Sequence, residues 1–484
     1  MIGPAVANPS HLDGDRYARV LRLCRGALKR YPPPMRAIAI LKAAWREPID
    51  ILAAGADDDF AFGLLSDGHG ERGRWSYVMA APTEVLTVSA EDARDPFQAL
   101  KALLGPAQAT HPDAPPFQGG LAGLLGYDLG ARLEGVGHPG RPEWPDVACG
   151  LYLSLLAFDH AKGEVLAIGR GADETEAAAR ARAALGLLER PSAAAVSGPL
   201  SDSFNVLTPG EVYEASVAAV VARIAAGEIF QANIVRAWGG RLRPGTRPID
   251  LAHRLIGSSP APFAGYLKLP GRALVSNSPE RFVSVRADGG LIVETRPIKG
   301  TRPRGGTPPA DEALKQELLG CAKDRAENLM IVDLMRNDLS RVCRPGGVKV
   351  TELFKIETFA NVHHLVSTVI GLIAPGLSAL DLLEAAFPPG SITGAPKIQA
   401  MKVIADYEPA RGPFYGAMFW AGVDGACDSS VLIRTAAFVE DPQGWGYETQ
   451  AGAGIVADSD PRLERLETEA KIDALRRGLT GDAS

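Results

Sequence analysis

The sequence predicts an α+β fold on three observations. Short apolar runs broken by glycine and aspartate turns fill the stretch from Ile38 to about Arg170, a Ser, Ala, Gly and Pro segment runs from Pro191 to Pro209, and helical and strand-like periods alternate beyond it. The 484 residues suffice for two ordinary domains or for one large body built on an extended sheet.

The first 34 residues differ from the rest. Arg16, Arg19, Arg22, Arg25, Lys29 and Arg30 precede Tyr31-Pro32-Pro33-Pro34, with no secretory apolar core. Residues 1–34 therefore read as a loosely attached extension, with Met35 the expected first residue of the native product. Residues 35–195 read as a mostly-sheet region, with strands at Ala61-Phe62-Gly63-Leu64-Leu65 and Glu84-Val85-Leu86-Thr87-Val88. An alanine and arginine run over 173–190 predicts a helix, and the linker after it sets a boundary near 195. In the second region, 205–478, helices are expected over 209–226 and 309–339, with strands over 263–269 and 273–276.

Composition removes several classes of function. Apolar residues make up 46% and charged residues 22%, values of a globular protein, and no apolar run approaches the ~18 residues that a helical membrane span needs. A net charge of −6 argues against nucleic acid as the main partner, because phosphate binding needs a basic face. Cys24, Cys149, Cys321, Cys343 and Cys427 form no CxxC pair, so neither a disulfide framework nor a zinc site is expected and a reducing cytoplasm fits best.

The chemistry centres on Glu294-Thr295-Arg296-Pro297-Ile298-Lys299-Gly300-Thr301, which sets a lysine between isoleucine and glycine at the end of a predicted strand. A deprotonated amine there is a nucleophile. From an ordinary pKa of ~10.4, each unit of depression costs about 1.36 kcal/mol, which burial and neighbouring charge must supply. The plain alternative is a surface lysine in a turn. Arg281-Phe282-Val283-Ser284-Val285-Arg286 and Leu291-Ile292-Val293-Glu294-Thr295 alternate around Ala287-Asp288-Gly289-Gly290, the pattern of a hairpin. Folding it brings Glu280 across from residues 297–299, so an acid and an amine share the open end of one ribbon, although such cross-strand pairs also occur on exposed sheets.

Two charged helices follow. In residues 322–333 Asp324 and Glu327 stand three apart on one face, and after Pro461 the residues Glu464, Glu467 and Lys471 fall on one stripe. A solvated, salt-bridged surface explains this spacing, and so does Mg²⁺, which takes hard oxygen ligands and keeps waters for a substrate to displace. Ser391-Ile392-Thr393-Gly394-Ala395-Pro396-Lys397 is expected to open a helix with N–H groups and the Thr393 hydroxyl facing an anion. Ala451-Gly452-Ala453-Gly454-Ile455, following a strand, offers a backbone that a carboxylate can approach closely.

In order along the chain, Phe230-Gln231-Ala232-Asn233, Ser278-Pro279-Glu280-Arg281-Phe282, Arg296 to Thr301, Lys323-Asp324-Arg325-Ala326-Glu327-Asn328, His363-His364-Leu365, Ser391 to Lys397, Ile433-Arg434-Thr435 and Ala451 to Ile455 resemble the chorismate-utilising enzymes. The similarity covers about 205–478, with a weaker match in Gly70-Glu71-Arg72-Gly73-Arg74-Trp75-Ser76-Tyr77. The resemblance implies a two-layer fold of large antiparallel sheets flanked by helices, and a Mg²⁺-dependent reaction on chorismate. It implies Glu327, Glu464 and Glu467 as metal ligands. It implies Arg434, Lys471 and the Gly452, Ala453 and Gly454 backbone as receivers of the substrate carboxylates, with Thr393, Gly394, His364 and Gln231 lining the pocket, and Glu280 as the general acid for the departing ring hydroxyl.

Within the family, members that add water carry a lysine base where this chain has Gln231, and members that aminate at C2 carry alanine where it has Lys299. The Pro-Ile-Lys-Gly-Thr form implies amination at C4 through a covalent adduct of Lys299. No Gly-x-Cys-x-Gly elbow occurs, so ammonia is expected from a separate glutamine amidotransferase subunit. In relatives a segment like Leu64-Leu65-Ser66 lies in a tryptophan site, which marks Leu65 and Ser66; an ordinary core strand accounts for them equally. Two rival readings stay open, C2 amination and a catalytically silent tryptophan- or chorismate-binding regulator. The set Glu280, Lys299, Glu327 and Glu467 argues against the second, since binding alone needs no nucleophile.

Overall fold

The computed structural model describes residues 37–481 apart from 71, 138–139, 192–195 and 360–361. The 1–34 extension, the Met35 start and the middle of the 191–209 linker lie outside the described residues.

Two antiparallel sheets dominate, of twelve and ten strands among the described residues. The larger runs Ala37–Ala44, Glu164–Gly171, Ser154–Asp159, Trp75–Met79, Phe62–Leu65, Phe263–Leu269, Arg272–Ser278, Thr435–Asp441, Gly444–Ile455, Gln231–Arg241 and Gly394–Ala395, with Asn205–Val206 also paired to Gln231–Arg241. The smaller runs Ile298–Pro303, Val362–Leu372, Leu291–Thr295, Arg281–Ala287, Cys427–Val431, Ala417–Gly422, Gly120–Leu125, Val147–Tyr152 and Glu84–Val88, with Lys349–Thr358 also paired to Val362–Leu372. One apolar core joins their inner faces, with Phe62 and Leu267 from the first meeting Leu121, Phe282 and Phe419 from the second. The outer face of the larger sheet is covered by the helices Pro48–Ala54, Pro248–Ser258 and Pro461–Thr480, whose Leu52, Leu251 and Leu475 join Phe438 in a second core. This is the α+β arrangement that the sequence predicts.

The regions on either side of the linker near 195 share both sheets. In each sheet the strands from before the linker form one block and those from after it another, and the blocks join at a single pair, Phe62–Leu65 with Phe263–Leu269 in the larger sheet and Gly120–Leu125 with Ala417–Gly422 in the smaller. Local expectations need two adjustments. The helix expected over 309–339 is two, Pro308–Gly320 and Ala322–Ser340, broken where Cys321 takes an extended ψ of 107°. The helix expected from Ser391 begins at Lys397, after a short 3-10 turn Gly390–Ile392 and the two-residue strand Gly394–Ala395. Among the described residues no helix is long and apolar enough to cross a membrane, and Cys149, Cys321, Cys343 and Cys427 are free thiols.

Candidate active site

The hairpin forms in the predicted register, with Ser284 opposite Glu294 and Ala287 opposite Leu291. Four residues on from each member of the first pair lie Glu280 and Ile298, one residue from Lys299. Strand Ile298–Pro303 then docks on Val362–Leu372, and the pairing slips by one residue between Ile298–Val366 and Thr301–His364. The extra residue falls at Lys299–Gly300, and such a bulge re-aims a side chain out of the alternating pattern. Gly300 takes φ +86°, and a Cβ there would meet Leu318 at 2.8 Å and Asp324 at 2.9 Å. Glycine is therefore required both for the turn and for the approach of the helix. Gly300→Ala is expected to lower stability by about 2–4 kcal/mol and to lower activity with it; a urea-unfolding midpoint equal to wild type would show that the bulge tolerates a side chain. Asn328, fully buried, braces the same strand by donating to the carbonyls of Pro297 (3.4 Å) and Leu365 (3.3 Å), while Ser367 donates to its Oδ1 at 2.5 Å.

The amine of Lys299 reaches Gly454 and Gln231. A Cβ on Gly454 would stand 3.3 Å from Lys299 Nζ and 2.9 Å from Gln231 Nε2, so both polar ends converge on the space that the glycine leaves open. Gln231 is fully buried, yet neither its Oε1 nor its Nε2 has a partner. A buried amide with both ends idle costs stability unless something else bonds it, and this one faces the amine.

Lys299 is half-buried, enclosed by protein on most sides, and no hydrogen bond or ion pair holds its amine among the described residues. Burial pulls its pKa below the ordinary value; Glu327, Glu280 and Glu467 oppose this, and Lys471 adds to it. Glu280, also half-buried, moves the other way: burial raises its pKa, against the Ser391 hydrogen bond at 2.6 Å and the charges of Lys299 and Lys471. The two shifts converge. Burial favours a neutral acid beside a neutral amine, the combination in which one can give a proton and the other attack carbon.

Cations gather nearby. Arg434 adopts a left-handed φ of 51° and Tyr415 one of 64°, unusual for side chains of that size. Burial lowers the Arg434 pKa, opposed by Tyr415 and Glu467. Lys471 Nζ donates to the Gly452 carbonyl at 2.9 Å and pairs with Glu467 at 2.6 Å. Gly452, Ala453 and Gly454 are not a loop after a strand; they lie inside Gly444–Ile455, registered with Val235, Ile234 and Asn233. What they offer is room, since a Cβ on Gly452 would meet Asn233 Oδ1 at 2.8 Å and that oxygen has no partner.

Thr393 does not face an anion as expected. It is fully buried and its Oγ1 donates to the Pro389 carbonyl at 2.8 Å, which shapes the turn. Gly394 at φ +139° lets this segment pair with Gln231, because a Cβ there would lie 2.1 Å from the Gln231 carbonyl. His364 Nδ1 lies 2.9 Å from Thr301 Oγ1 with Phe359 edge-on at 5.4 Å, and burial lowers its pKa, which keeps the ring neutral.

The carboxylates come from two helices as predicted, Glu327 from Ala322–Ser340 and Glu464 and Glu467 from Pro461–Thr480. They do not close into a ligand trio: among the described residues no group of three acidic, histidine or cysteine side chains is close enough to hold a metal ion. Their charge still fits a divalent cation. Burial raises the pKa of Glu327, with Asp324 and Asp458 pushing the same way, and burial raises that of Glu464, with Glu467 adding to it. Mg²⁺ needs only one or two carboxylates alongside waters and substrate oxygens.

Leu65 and Ser66 lie at the end of strand Phe62–Leu65. Leu65 pairs with Ala264, and the Ser66 hydroxyl donates to the Gly73 carbonyl at 2.6 Å and contacts Ser76 Oγ at 3.2 Å. Both are built into the core. Sequence reasoning passed over Ser391, Asn328 and Tyr415 as site residues. Ser391 and Asn328 stand inside the quoted motifs beside the residues singled out, whereas the left-handed backbone of Tyr415 leaves no trace in the sequence.

The profile of the chorismate binding enzyme family matches residues 63–477. The chain belongs to the chorismate-binding enzymes. Among curated members of that family, anthranilate synthase component 1 of Streptomyces coelicolor is 40% identical over 434 residues, 84% of this chain and 81% of its own. Aminodeoxychorismate synthase component 1 of Klebsiella aerogenes is 40% identical over 379 residues, 76% of this chain and 79% of its own. The crystal structure of anthranilate synthase component I from Streptococcus pneumoniae superposes with a TM-score of 0.73 at 30% identity, covering 84% of this chain and 93% of that one. This chorismate-binding enzyme thus carries the family's fold, and identity alone does not separate the two kinds of synthase.

Proposed function

We propose that the chain aminates chorismate at C4, giving 4-amino-4-deoxychorismate, as an aminodeoxychorismate synthase component I. The observation that carries this reading is the half-buried amine of Lys299, unpaired among the described residues, depressed in pKa and converging with Gln231 over Gly454. In the proposed sequence Lys299 attacks C2 while the C4 hydroxyl leaves, taking its proton from Glu280 and departing as water. Ammonia then bonds to C4 and the C2–N bond to lysine breaks, returning the electron pair and restoring the ring double bonds. A nucleophile that enters and is later displaced directs the new amine to C4. Arg434 and Lys471 would neutralise the substrate carboxylates, and Gln231, an amide rather than a base, can orient ammonia by hydrogen bonds but cannot deprotonate water.

Mg²⁺ would be held by one or two of Glu327, Glu464 and Glu467, with waters and substrate oxygens completing its shell, and would supply charge neutralisation at a ring carboxylate. Ammonia is expected from a separate glutamine amidotransferase, a reading supported by the designation of the relatives as component 1. Amination at C2, to anthranilate, is the second reading, favoured by relatives of that name at the same identity. Incubation with chorismate, ammonium and Mg²⁺ followed by chromatography separates them. The expected product is 4-amino-4-deoxychorismate, lost on chelation and recovered with added Mg²⁺; fluorescent anthranilate without any added lyase would overturn the proposal.

A further inference from the structure

Glu280 is held by one group that no role has yet absorbed. Ser391 Oγ donates to Glu280 Oε1 at 2.6 Å, and Oε2 has no protein partner among the described residues. Ser391 itself is fixed. It sits in the 3-10 turn Gly390–Ile392, which packs so closely on the helix Ala322–Ser340 that a Cβ on Gly390 would meet Leu334 at 2.5 Å. The Thr393 hydroxyl and backbone N–H close the turn onto the carbonyls of Pro389 and Gly390, and Arg411 Nη1 donates to the Ile392 carbonyl at 3.3 Å. Beyond the turn, buried Lys397 bonds the Ala386 carbonyl at 2.6 Å and Asp338 at 2.7 Å, pinning both ends of the segment.

A carboxylic acid with two free oxygens can carry its proton on either and turn it in either direction. We infer that Ser391 is the positioning residue of the general acid: by donating to Oε1 it reserves that oxygen as an acceptor, so the proton sits on Oε2 and faces the leaving hydroxyl. The step balances simply. The C4–O bond breaks, the Oε2 proton goes to the departing oxygen, water leaves and Glu280 remains as carboxylate. Besides Ser391, the groups facing Glu280 are Lys299 from strand Ile298–Pro303 and Lys471 from helix Pro461–Thr480; Arg281, beside it in sequence, is bound bidentately to Asp428. The inference rests on the proposed role of Glu280, and because the hydroxyl departs in either regiochemistry it can be scored whichever amine product forms.

The test uses the full chain with chorismate, ammonium and Mg²⁺, reading kcat, KM and the pH profile of kcat. Ser391→Ala is expected to lower kcat about ten- to a hundredfold with less than about twofold change in chorismate KM, as for other supporting groups behind a reacting one. Ser391→Thr, which keeps the hydroxyl, should restore most of the rate. The limb of the profile that disappears in Glu280→Gln belongs to the acid; in Ser391→Ala it should move to higher pH, because a lost donor to the carboxylate favours the protonated form. In a Glu280→Gln background Ser391→Ala should cost almost nothing further. An equal loss in both backgrounds, or an unmoved limb, would reduce Ser391 to a structural contact and overturn the inference. If wild type makes anthranilate, the C4 reading falls while these comparisons still judge Ser391.

Discussion

Lys299→Ala is expected to lose amination at C4 by at least about a thousandfold, the scale on which removal of a covalent nucleophile acts. Residual product should carry its amine at C2, since without the displaced lysine nothing redirects ammonia. Removing the side chain should not unfold the protein: the amine is desolvated and makes no hydrogen bond or ion pair among the described residues, so its loss relieves a cost as it deletes some apolar contact. Mass spectrometry of wild type quenched during turnover should find a chorismate-derived mass on Lys299, absent from the variant. An unchanged rate and product in Lys299→Ala would refute the covalent role whatever the fold.

Glu280→Gln should lower kcat by about two to four orders of magnitude, the usual contribution of a positioned general acid. Glutamine fills the same volume and can still accept from Ser391, so folding is preserved and the loss reports the missing proton. The pH dependence adds a second measure. With ordinary values of 4.5 for the acid and 10.5 for the amine, the doubly neutral pair is six units uphill, about one molecule in a million. Each unit by which burial raises Glu280 and lowers Lys299 multiplies that population tenfold. The kcat profile should therefore be a bell narrower than those ordinary values would give, and Glu280→Gln should erase one limb of it. A profile with both limbs intact in the variant would assign the acid elsewhere.

Much of this was legible because it rests on local chemistry. The hairpin register follows from alternation and a Gly-Gly turn, so Glu280 could be set against Lys299 before any coordinates. The helix stripes of Glu327, Glu464 and Glu467 follow from a 3.6-residue period. What escaped depends on distant backbone. The bulge that turns Lys299 inward exists because strand Ile298–Pro303 must match Val362–Leu372, and no local signal states that slip. Thr393 looked like an anion ligand because the helix start was placed six residues early; cap and turn share the same residue types, and only the neighbouring strand Gln231–Arg241 decides between them. Ser66 is marked only by resemblance to a segment of relatives, with an ordinary core strand an equal account, and its bonds to Gly73 and Ser76 are set by sheet packing.

The joining of early and late strands within both sheets bears on how the chain is made. Strand Phe62–Leu65 emerges from the ribosome about 200 residues before its partner Phe263–Leu269, and Gly120–Leu125 about 300 residues before Ala417–Gly422; at roughly 5–20 residues per second these edges wait some tens of seconds unpaired. Both are apolar and central in the finished sheets. The nascent protein is thus a natural client for chaperones throughout its own synthesis, and cutting the gene at the linker would yield two halves, each exposing in both sheets one strand edge that the whole fold pairs.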